Sequence, residues 1–110
     1  MNAKVHIKAG ICGFQTSAVV TSNDNQHVSL IIQTDCPKIA AFQARLAEHG
    51  DLDAYQEILA VKESVLLGLA RENLVGCCAA CAVPIGLFKA MQVAAGLALP
   101  QDVSITISKD

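Results

Sequence analysis

With 110 residues, 53% of them hydrophobic but only 4% aromatic, and a net charge of −2, the chain is expected to form one domain over residues 1–110 with a core of small aliphatic side chains. No run of Lys or Arg gives the electrostatic footprint of a nucleic-acid or anionic-membrane partner, so neither is expected. Five cysteines make an odd number. The amino terminus interleaves Lys4, His6 and Lys8 with Val5 and Ile7 and lacks the apolar run of an export signal, so the cysteines argue against a disulfide scaffold and for a metal, cluster or redox role, or for packing. The longest apolar run, Leu74 to Phe88, is shorter than a membrane span and is interrupted by Gly76, Pro84 and Gly86. The expectation is a soluble, cytoplasmic protein.

Val5, Ile7, Ala9 and Ile11 alternate with Lys4, His6 and Lys8, the pattern of a half-buried strand with His6 facing solvent. Gly10, Cys12 and Gly13 follow as a turn in which the backbone can approach a ligand closely. Thr16–Thr21 reads as a second strand, Ser22–Gln26 as a hairpin loop, and His27–Gln33 as a third strand with Val28, Leu30 and Ile32 inward.

Pro37 belongs to the first turn of a helix capped by Asp35 or Cys36, with Ile39, Phe42 and Leu46 as its buried stripe and an end near His49 and Gly50. A second helical region, capped by Asp51 or Asp53, carries Tyr55, Ile58, Leu59, Val65, Leu66 and Leu69, with a break near Ser64, and stops by Gly76. A third helix runs from Pro84 to about Leu97 with Ile85, Phe88, Met91, Val93 and Ala95 for packing. Val103, Ile105 and Ile107 then alternate with Ser104, Thr106 and Ser108 as a last strand. The fold class is α+β: a two-layer sandwich, β-β-β-α-α-α-β, with a mostly antiparallel four-stranded sheet and the helices on one face.

Short connections make successive elements antiparallel neighbours. Cys12 ends the first strand, Cys36 the third, and Cys77, Cys78 and Cys81 precede the third helix, so all five reach the same end of the domain. Helix starts favour thiolate through unpaired N–H groups and the helix dipole, which suits metal ligation or nucleophilic sulfur. Adjacent residues before a helix usually do not point the same way, so only one of the pair is expected to reach the site. Of the Cys77–Cys78 pair, Cys78 is the expected ligand through its Cys-x-x-Cys spacing to Cys81, while Cys77 is expected to turn into the core.

A strand ending in Cys12-Gly13, a hairpin, a third strand leading to Cys36 at a helix start and a later helix opened by Cys81 together resemble the iron–sulfur cluster scaffolds of the IscU and NifU amino-terminal type. The resemblance covers roughly residues 5 to 95 in layout and implies cluster-ligand roles for Cys12, Cys36 and Cys81. Phe14 stands where those scaffolds have an aspartate and Ala80 where they have a histidine, which leaves Cys77 or Cys78 to supply the fourth ligand. The chain also resembles small single-domain proteins of anaerobes, a likeness that implies a fold but no activity.

Four thiolates from Cys12, Cys36, Cys78 and Cys81 suit tetrahedral zinc or an iron–sulfur cluster. Structural zinc sites usually draw on two close pairs, and here only Cys78 and Cys81 are so spaced, so the isolated Cys12 and Cys36 lean the choice to a cluster. Protein partners in cluster or sulfur transfer, and a homo-oligomer, are compatible with this reading. Two alternatives are a thiol–disulfide redox protein using Cys78 and Cys81, and an interaction domain whose cysteines only pack. No Ser/His/Asp set, phosphate-binding glycine motif or carboxylate pair is present, so an enzyme would rest entirely on thiols.

Overall fold

Alternation is realised as a meander: β1 (Asn2–Lys8), β2 (Gln15–Thr21) and β3 (His27–Thr34) pair antiparallel in sequence order. The register sets Val5 opposite Ala18 and Ala18 opposite Ile32, so the apolar residues of all three strands share one face. That inner face carries Ala3, Ile7, Val20 and Val28, all buried. The outer face carries Lys4, His6 and Lys8 with Ser17 and Gln33, and His6 Nδ1 is 2.8 Å from Ser17 Oγ across the strands. The computed structural model describes residues 1–59 and 63–110.

All helices lie on the inner face. Helix α1 (Pro37–His49) buries Ile39, Phe42 and Leu46 and ends at Gly50, whose φ of 86° is left-handed backbone that favours glycine. The chain then forms β4 (Leu52–Asp53), a two-residue strand antiparallel to His27–Val28, so the sheet order is β1-β2-β3-β4. Asp53 caps α2 (Ala54–Glu57) by accepting the N–H groups of Tyr55 and Gln56. Helix α3 (Val65–Asn73) packs on α1, and α4 (Val83–Ala94) crosses β1 and β2. Phe42, Leu52, Leu66, Leu87 and Met91 interlock between the layers with almost no exposure. Burying one such side chain contributes on the order of 1.5–3 kcal/mol.

The α+β class and the four-stranded antiparallel sheet are as expected, but the strand that completes the sheet is different. Leu52–Asp53 takes that place, and residues 98–110, with Val103–Ser108 among them, are exposed and belong to no strand or helix. The first strand stops at Lys8, so Ile11 is fully exposed in the following turn. The second helical region is two helices, α2 and α3; a single helix would also cross residues 60–62, which lie outside the described residues. Tyr55, Ile58 and Leu59 are exposed, since the short α2 presents only Ala54 and Glu57 inward. Helix α4 stops at Ala94, short of Leu97, and its Ile85 faces solvent while Leu87 and Ala90 take the buried stripe. Gly76–Ala94 is 19 residues and long and apolar enough to cross a membrane, more than the sequence reading allowed. In the fold its α4 portion is the core helix, with Val83, Leu87, Met91 and Ala94 buried against the sheet.

The β2–β3 hairpin is organised by Asp24. Its Oδ1 accepts the N–H groups of Gln26 and His27, and its Oδ2 lies 2.7 Å from His27 Nδ1. Asn25 takes φ of 60°, a left-handed conformation that Asn tolerates better than most residues. The bond to the His27 ring, and then those to the backbone of His27 and Gln26, hold the Asp24 carboxyl well below the usual carboxylate range; the same side-chain bond raises His27 above 6.5. Asp24 therefore contributes stability above its ordinary value of 3.8 and loses it as pH falls through the lower folded value. His27 contributes fully below 6.5 and loses its contribution as pH rises through the higher folded value. The hairpin is firmest between about pH 4 and 6.5. Asp24→Asn is expected to bring the His27 titration, followed by NMR, back toward 6.5; an unmoved His27 would show that Asp24 does not set it.

Candidate functional site: a cysteine cluster at one end of the domain

Three loops meet where β1, β3 and α3 end. In the first, Gly10 and Gly13 have φ of 106° and 77°, the Gly13 N–H bonds to the Gly10 carbonyl at 3.0 Å, and Cys12 is presented on the exposed crest. The second loop holds Cys36 as the N-cap residue of α1. Its backbone N–H bonds to Thr34 Oγ1 at 3.1 Å, and its thiol makes no capping bond, so the sulfur is left free. Asp35 joins these two loops: its Oδ1 accepts the N–H of Gln15 at 2.8 Å, and its own N–H reaches back to the Gln15 carbonyl.

The third loop follows α3. Gly76, with φ of 64°, opens a 3₁₀ turn over Gly76–Cys78; the Cys81 N–H then bonds to the Cys78 carbonyl at 3.1 Å, and α4 begins at Val83. Successive tight turns hold Cys78 and Cys81 on the side facing the domain. Both are partly buried and pack against the core, as does Cys36. Cys77 is exposed to solvent: the turn that directs Cys78 inward sends its neighbour outward, so Cys77 does not enter the core as expected.

Cys81 is the focus of the group. Burial is the main reason its thiol is pushed up from 9.0, opposed by the Val83 N–H; Cys12, Cys36 and Cys78 all lie near enough to add like-charge repulsion when it ionises. Cys12, Cys36 and Cys78 thus lie within electrostatic reach of Cys81. The helix start does not make Cys81 a ready thiolate as the sequence suggested, because desolvation outweighs the single N–H bond to its sulfur. All five cysteines are free. Among the described residues, no three His, Cys, Asp or Glu side chains already stand at the spacing that would hold a metal ion.

One contact was not legible in the sequence. Lys38, in the first turn of α1, donates from Nζ to Cys78 Sγ at 3.4 Å and sets a positive charge beside the sulfur. Forty residues separate the partners, and only the docking of α1 against α3 brings them together, so no local motif announces the pair. The histidines lie elsewhere: His6 on the open face, His27 in the hairpin and His49 in the last turn of α1.

A family model described as a family of unknown function (DUF6951) matches residues 3–107, and the chain belongs to that family. No curated protein and no solved structure matches the chain.

Proposed function

We propose that this member of DUF6951 is a small cytoplasmic metal-binding protein that holds an iron–sulfur cluster, or alternatively zinc, through Cys12, Cys36, Cys78 and Cys81. The supporting observation is that cysteines of three separate loops lie within electrostatic reach of one another at Cys81. The donor set is soft and all sulfur, which fits thiophilic metals. Bound there, a cluster would supply one-electron chemistry or be passed on to a protein partner, and zinc would supply rigidity. The thiols must draw closer and lose protons to ligate, and the exposed Gly10–Gly13 turn and the Gly76–Cys78 turn are the segments that could move. Lys38 offsets part of the negative charge that several thiolates create together. Five free thiols suit a reducing compartment, hence the cytoplasm. The resemblance to the IscU and NifU scaffolds belongs to this proposal, and a role in cluster or sulfur transfer would follow from it.

The test is analysis of iron, acid-labile sulfide and zinc, with a visible spectrum, in protein purified without oxygen and in protein reconstituted with iron and sulfide. Serine at Cys12, Cys36, Cys78 or Cys81 is expected to lower bound metal several-fold, and Cys77→Ser to leave it unchanged. Without metal, alkylation of the exposed Cys77 is expected to outpace that of Cys81, and bound metal to protect Cys78 and Cys81 together. Protein that takes up neither cluster nor zinc, with all five serine variants alike, would remove this reading.

A second reading, thiol–disulfide exchange by Cys78 and Cys81, is favoured by the Lys38 ammonium beside Cys78. It requires that a disulfide substrate accept the two electrons released when these thiols join.

A further inference from the structure

The last thirteen residues pose a separate question. Val103, Ile105 and Ile107 alternate with Ser104, Thr106 and Ser108, which is the pattern of a half-buried strand, yet Ile105 is 71% exposed and Ile107 88%. Among the described residues nothing covers them, and the molecule is 45 Å long against 28 Å in its other two dimensions. The family match runs through residue 107, so Val103–Ile107 lie within the region the family shares.

An edge of matching length stands open. Among the described residues β1 has β2 on one side and no strand on the other, leaving the outer edge of its seven residues, Asn2–Lys8, without a strand partner. Residues 102–108 are also seven, a span of roughly 23 Å in either strand. Laid antiparallel with Asp102 opposite Lys8, the segment would put Val103, Ile105 and Ile107 opposite Ile7, Val5 and Ala3, the inner-face residues of β1. The same register would pair Asp102 with the Lys8 charge. Next to that edge, α4 crosses β1 at Gly86 and leaves Ile85 51% exposed and Phe88 partly so. A strand added there would face apolar surface with apolar side chains.

We propose that residues 102–108 are exchanged between two copies of the chain, each adding as a fifth strand to the free edge of the other's β1. A second copy is the favoured occupant because the segment leaves the domain beside Asn25, at the same end where β1 begins. Folding back onto its own β1 would make a parallel pair and lose the Asp102–Lys8 match. A reciprocal exchange gives a closed two-fold dimer and covers both open edges at once. The inference does not rest on the thiol chemistry, since the segment joins none of the cysteine loops.

Light scattering during size exclusion, in reductant, reads the mass of the full chain. The expected result is twice the 11.5 kDa of one chain. Ile105→Pro removes a backbone donor and blocks strand pairing, and truncation after Leu99 removes the segment; both are expected to give folded monomers, because the domain makes no use of these residues. Hydrogen exchange at 103–107 should be slow in the full chain and fast in Ile105→Pro. A monomeric full chain would overturn the proposal, whether its segment is protected or not. So would a dimer that survives both variants, which would place the interface elsewhere.

Discussion

Glu57→Ala is expected to lower the unfolding free energy by about 3 kcal/mol, because this buried carboxylate holds the start of a helix that it does not belong to. Its Oε1 accepts the Ser64 hydroxyl at 2.7 Å and the Leu66 N–H at 2.8 Å, while Oε2 accepts the Val65 N–H at 2.8 Å. These are the donors that the first turn of α3 cannot pair internally, and the negative charge lies at the positive end of the helix dipole. Ser64 then turns its own oxygen to the Leu67 N–H. Alanine would leave two backbone donors and a hydroxyl without their partner in a site where Glu57 is 6% exposed. Each such loss costs on the order of 1–3 kcal/mol, reduced where water can enter. Glu57→Gln keeps only part of the acceptor capacity and should fall in between. Urea unfolding would check this through the midpoint at constant slope; an Ala variant within 0.5 kcal/mol of the parent, roughly the error of such data, would show that the cap carries little.

Gly86→Leu is expected to cost about 3 kcal/mol or more and to prevent α4 from seating on β1. A Cβ at this position would lie 2.7 Å from Ile7 Cγ1 and 2.9 Å from Ile7 Cδ1. An alanine methyl can be met by a turn of the Ile7 side chain, whereas the longer leucine side chain extends past it into the layer between α4 and β1. The helix would have to lift, uncovering Leu87 and Met91, which are fully buried between the layers. Gly86→Ala pits a helix-propensity gain of about 1 kcal/mol against the same contact and should be mildly destabilising. Thermal unfolding would distinguish the two, and a Leu variant as stable as the parent would mean that α4 does not approach β1 this closely.

How far the sequence reveals this fold depends on whether a feature is local. The meander was legible because a period of two in Val5–Ile7, Thr16–Val20 and Val28–Ile32 states which side of each strand is buried. Pro37 and Gly50 bracket α1 for equally local reasons. Leu52–Asp53 was not legible: two residues carry no period, and only the position of His27 and Val28 makes them a strand. For Val103–Ile107 the pattern tells what the segment needs but not which molecule supplies it. Glu57 escaped because a capping acceptor is sought next to its helix, whereas this one reaches α3 from α2. That Cys12, Cys36 and Cys78 lie within electrostatic reach of Cys81 accords with the direction of successive elements, but the sense of the Cys81 shift was not legible, because burial is a property of the packed structure.

The seating of α4 on β1 also governs the order in which the molecule can be made. Strands β1 to β3 follow one another closely in the chain, so their pairing closes short loops and can occur early, whereas the helix that covers the inner face of β1 and β2 begins only at Val83. A nascent chain therefore presents Ile7 and Val20, on the two strands that α4 covers, without that cover until α4 has been made. Amides of the β2–β3 hairpin are expected to gain protection before those of α4 in pulsed hydrogen exchange during refolding, and the reverse order would show that the helix is not the late partner. Newly made protein should accordingly depend on holding chaperones, or on low concentration, during the interval before α4 emerges.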